Sequence, residues 1–102
     1  MSARPLSPTT TAVLKAIAEN IRHGFEIMAA TALPSGTVYP ILSRLERDAL
    51  VRAKWESPEI AQKEKRPARR YYEISAAGHR SLADALIYYR KLSTGRAAPS
   101  RA

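Results

Sequence analysis

The sequence predicts a mainly α domain in the order helix, helix, helix, strand, strand, helix. Three observations carry this. Leu33 to Leu50 reads as a turn followed by an amphipathic helix with a polar, basic outer face. Val51 to Glu56 and Arg69 to Ile74 alternate apolar and polar residues, as the half-buried strands of a hairpin do. A basic cluster of Lys63, Lys65, Arg66, Arg69 and Arg70 spans the hairpin's loop and the start of its second strand. Three helices closed by a basic hairpin make a winged helix-turn-helix, and the final helix is an extension suited to dimerisation.

Each element has a local signature. Residues 1–6 read as a frayed arm. Ser7-Pro8 starts the first helix, with Ser as N-cap and Pro at the first helical position, where its missing N–H costs nothing. Val13, Leu14, Ile17, Ala18 and Ile21 recur at helical spacing, so this helix runs to about Glu19, with Asn20 suited to its end. His23 to Ala30 reads as a short second helix with Phe25, Met28 and Ala29 inward. Thr31 to Pro34 form the turn, since the residue before a proline disfavours helix.

The third helix follows Pro34, with Ser35 as its expected N-cap. Val38, Ile41, Leu42, Leu45 and Ala49 form its apolar stripe. Gly36, Pro40, Ser43 and Arg47 point away from that stripe, flanked by Tyr39 and Arg44. Pro40 forfeits one ladder bond near the helix start and bends the first turn. In the first strand Val51, Ala53 and Trp55 share one face; in the second, Tyr72 and Ile74 point inward. Ser57 to Ala68 is long for a hairpin loop, holds two prolines, and is expected to be mobile without a partner. Ser75 caps the last helix, whose stripe is Leu82, Ala85, Leu86, Tyr89 and Leu92. Residues 7–74 thus make the winged domain, 75–92 a dimerisation helix, and 93–102 a tail expected to be disordered.

A chain of 102 residues holds one modest core. Its net charge of +8 favours a polyanionic partner, because each Lys or Arg set against a phosphate releases a condensed counterion. The absence of cysteine removes disulfides, thiolate chemistry and Cys-based metal sites. No apolar run approaches the roughly 20 residues of a membrane span, and the start of the chain lacks the apolar region of a signal peptide. A cytoplasmic protein without a membrane partner is the expectation.

Several residues carry a resemblance. They are His23-Gly24-Phe25-Glu26-Ile27, then Gly36-Thr37-Val38-Tyr39-Pro40-Ile41-Leu42 leading into Arg44-Leu45-Glu46, then Leu50-Val51, Trp55, Arg69-Arg70-Tyr71-Tyr72, and Ser75 with Gly78. From about Pro8 to Leu92 the chain resembles the PadR family of transcription regulators. The pairing of the two motifs is what makes the match specific. The resemblance implies a homodimer built through the C-terminal helix and a repressor that leaves its operator when a small-molecule effector binds. The wing loop here is longer than the family's usual one.

A recognition helix buries one face and offers the other to the major groove, its N-terminal residues nearest the base edges. That assigns DNA contact to Ser35, Gly36, Thr37, Tyr39, Pro40, Ser43, Arg44 and Arg47, with Asp48 placed to pair with Arg44. In the wing, Lys63, Lys65, Arg66 and Arg69 are assigned to phosphates or the minor groove, and loss of Arg66 is expected to flatten the salt dependence. Arg70 alternates toward the inner face, as a structural residue would. Trp55 reads first as packing the wing onto the core; the sharper alternative is an effector pocket shared with Tyr88 or Tyr89 across a dimer. Two histidines without cysteine make a poor metal site, and no constellation supports catalysis or a cofactor. A protein-interaction module of the same fold and a non-specific nucleic-acid binder are the competing readings; the basic wing argues against the first.

Overall fold

A computed structural model describes the backbone of residues 5–100 and the side chains of residues 5–93. The elements follow the expected order with one addition: α1 (Pro8–Ala18), α2 (Gly24–Thr31), α3 (Ser35–Arg47), β1 (Val51–Trp55), α4 (Pro58–Lys63), β2 (Arg70–Ile74) and α5 (Ala76–Ser100).

The ends of α1 and α5 are set by side chains. Ser7 Oγ accepts from the Thr10 amide at 3.2 Å, with Pro8 in the first helical position. The chain leaves α1 through Asn20 at φ 69°, the left-handed region that Asn tolerates. Ser75 Oγ accepts from the Gly78 amide at 3.0 Å and its hydroxyl donates to the Ala49 carbonyl at 2.8 Å, so one side chain starts α5 and ties it to the end of α3.

The core lies where α1, α2, α3, α5 and the hairpin meet. Val13, Leu14 and Ile17 of α1 pack with Ile27 of α2 and with Val38, Ile41, Leu42 and Leu45 of α3. Val51, Tyr72 and Leu82 close it. Burying side chains of this kind stabilises by about 1.5–3 kcal/mol each before chain entropy opposes it. The two strands pair antiparallel, from Val51 opposite Ile74 to Trp55 opposite Arg70. The hairpin is fastened to the body along β2: the Tyr72 amide donates to the Arg22 carbonyl at 2.9 Å, and His23 bridges to Tyr71.

Five local expectations are corrected. On α2, Ile27 is buried while Phe25 and Ala29 are exposed; two turns of helix are too short for periodicity to fix the phase. Pro34, not Ser35, is the N-cap of α3, and no side chain caps that end. Ala49 leaves the apolar stripe, because the helix has ended and the residue turns back at φ 60°. The segment 57–68 is not a bare loop: it contains α4, with Ser57 Oγ accepting from the Ile60 amide at 3.3 Å and Ala61 buried. Finally, the backbone of α5 runs past Leu92, its expected end, to Ser100. Residues 101–102 of the expected tail and 1–4 of the expected arm lie outside the described residues. Leu6, also assigned to the arm, packs against the core, and its carbonyl accepts from the Tyr89 hydroxyl at 2.7 Å.

Candidate nucleic-acid interface

The stripe of α3 buries Val38, Ile41, Leu42 and Leu45, and this fixes what the opposite face presents. Ser35, Gly36, Tyr39, Pro40, Ser43, Arg44 and Arg47 are exposed and Thr37 is half-buried. A side chain at Gly36 would meet nothing within 4 Å, so the backbone there is open to close approach. The expected pairing of Arg44 with Asp48 does not form. Asp48 instead lies 3.4 Å from Nε of Arg47, with both side chains well exposed, which is a weak tie.

The two motifs that the sequence sets apart touch each other. A Cβ built on Gly24 would come within 2.7 Å of Cε1 and Cζ of Tyr39. The missing side chain at the start of α2 is therefore what lets the Tyr39 ring lie down against it.

The hairpin divides its basic residues into two classes. Lys63 and Lys65 are exposed at the tip, Lys65 in the left-handed region at φ 57°. Arg66 is not free for a phosphate. Its Nη1 and Nη2 donate to the two carboxylate oxygens of Glu56, whose side chain is 5% exposed. The Arg69 amide (3.3 Å) and the Tyr71 hydroxyl (3.4 Å) also donate to Glu56. The Arg66 hydrogen bonds, with these two adding, hold the Glu56 carboxyl down to about 2.

Arg70 is structural, as its register suggested. Its Nη2 donates to both oxygens of Glu46 at 2.9 and 3.1 Å, which ties β2 to α3. Its guanidinium lies 5.5 Å from the centroid of the Trp55 ring. His23 is buried beside Tyr71, edge-to-face at 5.6 Å, with Nε2 at 3.3 Å from Glu26. Burial lowers its pKa, with Glu26 acting in the opposite sense.

Trp55 does not pack the wing onto the core; it is 66% exposed, because the strand carries it beyond the core's edge. It lines an open trough of about 280 Å³ with Phe25, Tyr39 and Arg69. Phe25, at 74% exposed, was missed as a surface residue. Tyr88 and Tyr89 are elsewhere, edge-to-face with one another at 5.0 Å, so one chain alone does not bring them to Trp55.

On α5, the expected dimer stripe divides. Leu82 and Ala85 are buried in the chain's own core and Leu86 is half-buried against it. Tyr89 is engaged by Leu6. Leu92 remains exposed, together with Ile87 and Tyr88, neither of which was assigned to that seam. Among the described residues no helix is long and apolar enough to cross a membrane.

Comparison with known proteins agrees with this geometry. Residues 13–84 match the Transcriptional regulator PadR-like family. A PadR-like transcriptional regulator from Bacillus cereus superposes with a TM-score of 0.74 at 20% identity, over 91% of each chain. A probable transcriptional regulator from Pseudomonas aeruginosa gives 0.72 at 23% identity, over 92% of this chain and 66% of that one. Bordetella bronchiseptica BpsR, whose DNA binding is regulated by 6-hydroxynicotinic acid, gives 0.71 at 14% identity, over 93% of this chain and 67% of its own. No curated protein matches the sequence.

Proposed function

The chain belongs to the PadR-like family of transcriptional regulators, and on that premise we propose that it is a homodimeric, sequence-specific repressor that a small-molecule effector releases from its operator. The observation that carries this reading is the polar face of α3, exposed from Ser35 to Arg47 while its other face anchors the core. Two such helices, related by a two-fold axis, enter successive major grooves about 34 Å apart. Thr37 and Ser43 read base edges, Tyr39, Arg44 and Arg47 hold the strand, and Lys63 and Lys65 reach the flanking backbone. The exposed Ile87, Tyr88 and Leu92 of α5 support a seam between two copies, with Leu86 and Tyr89 at its edge. An effector pocket that joins Trp55 to Tyr88 or Tyr89 would need that second copy. The regulation of BpsR by a small aromatic acid supports ligand release for a fold of this kind.

Selection of genomic fragments retained by the protein tests the reading. The expected result is enrichment of a sequence with two-fold symmetry, its half-sites about one helical turn apart, with binding that weakens steeply in salt. Equal retention of every fragment would leave only a non-specific binder, and no retention at low salt would leave an interaction module.

A further inference from the structure

Three aromatic rings stay in the open around one trough: Phe25 (74% exposed), Trp55 (66%) and Tyr39 (46%). Large rings grouped in this way mark a contact surface. The trough separates α3, represented by Tyr39, from the hairpin, represented by Trp55 and Arg69, with the start of α2 as its third wall. In a duplex, a major groove and the next minor groove are divided by one sugar–phosphate strand. A helix in the first groove and a hairpin tip in the second leave that strand a single route, which lies between them.

From this juxtaposition we infer that the trough is a channel for the dividing DNA strand, in which Phe25 and Trp55 pack on its sugars and Arg69 holds a phosphate. The inference rests on the DNA-binding reading above. Its chemistry suits the strand. The Arg69 backbone is fixed by Glu56, while its side chain forms no ion pair among the described residues. Arg70, whose charge is answered by Glu46, backs the Trp55 ring and leaves Arg69 as the cation of the trough. Deoxyribose offers apolar faces to the rings and its phosphates offer charge to the guanidinium. A small aromatic acid has related chemistry, but a half-open trough bordered by the recognition helix suits a strand running through it.

Trp55 is the only tryptophan, so its emission reports on the channel alone. A duplex recovered by fragment selection is expected to quench that emission with the same midpoint as its mobility shift. Trp55→Ala and Phe25→Ala are each expected to weaken binding about tenfold with the salt slope unchanged, since no charge is lost. Arg69→Ala is expected to lower the slope by about one. Both rings are exposed, and thermal melts of the variants verify that they fold. Normal duplex affinity in Phe25→Ala and Trp55→Ala, with Trp55 emission unmoved by bound duplex, would overturn the channel and leave the DNA-binding reading intact. Failure of the unaltered protein to bind any duplex would sink both. Quenching by benzoate but not by duplex would assign the trough to a small molecule instead.

Discussion

Glu56 and Arg66 close the wing on itself: the two Nη groups of Arg66 donate to the two oxygens of Glu56 at 2.6 and 2.9 Å across ten residues of chain. The pair helps order the long wing loop that presents Lys63 and Lys65. Arg66→Ala leaves a nearly buried carboxylate without its main partner, which is the costly way to break such a pair. We expect faster amide exchange across 56–69 and weaker duplex binding. The salt slope is expected to stay as in the parent, because both Nη groups of Arg66 are engaged by Glu56. A slope lowered by about one would restore Arg66 to the phosphate contacts expected from the sequence.

The same pair sets a dependence on acid. The Glu56 carboxyl lies at about 2, below its ordinary 4.5, so the unfolded chain binds its proton first. By linkage its contribution is complete above pH 4.5 and is lost as pH falls toward 2. His23 acts earlier and in the same direction. Burial lowers its pKa below 6.5, so protonation favours the unfolded chain and stability declines as pH drops beneath that value. Thermal melts from pH 7 to 3 are expected to show a loss in both windows. Glu56→Gln should remove the lower one and keep the upper.

Much of this was legible in the sequence, and the misses have physical causes. The stripe of α3 and the caps at Ser7 and Ser75 follow from local geometry, which spacing reports directly. The turn of helix at α4 also carried a sign, since Ser57-Pro58 repeats the cap of Ser7-Pro8. Alternation gave Trp55 its face but not the point where the core stops beneath it. The stripe on α5 was real, but periodicity cannot tell a helix face that meets its own core from one that meets a second copy. Partners such as Glu46 for Arg70 are distant in sequence and only the fold pairs them.

Two glycines should respond in different ways. A Cβ at Gly78 would overlap the Leu50 carbonyl oxygen and come within 2.7 Å of Cγ1 of Ile74. That oxygen also accepts from the Ser75 amide at 3.0 Å, so it has little room to move. Helix propensity alone favours Ala by about 1 kcal/mol. Overpacking against fixed backbone costs about 1–3 kcal/mol and decides the sign. Gly78→Ala is expected to lower stability by up to about 2 kcal/mol net. At Gly24 the obstacle is the half-exposed Tyr39 ring, which can swing away. Gly24→Ala is expected to keep stability within about 0.5 kcal/mol and to weaken duplex binding. Denaturant melts and binding isotherms separate the two.

Assembly and folding should part along α5. Ile87→Glu puts a charge on the exposed face, and the expected outcome is a folded monomer in sedimentation analysis, with duplex affinity reduced. Leu82→Glu puts it in the core, and the expected outcome is an unfolded chain. A dimer that survives Ile87→Glu, and also Tyr88→Glu, would move the seam off this face.

Base reading and backbone holding should separate on the interface itself. Ser43 is exposed near the middle of α3, and a hydroxyl there can donate to or accept from a base edge. Ser43→Ala removes one neutral hydrogen bond, worth about 1 kcal/mol, and only where the preferred base supplied the partner. Preference at that base pair is expected to relax while the affinity for unrelated duplex and the salt slope stay put. Lys65→Ala removes a charge that every sequence offers a phosphate to meet. It is expected to weaken all duplexes equally and to lower the slope by about one. Parallel selections with both variants decide the matter. A uniform loss with Ser43→Ala and an altered preference with Lys65→Ala would reverse the roles assigned to helix and wing.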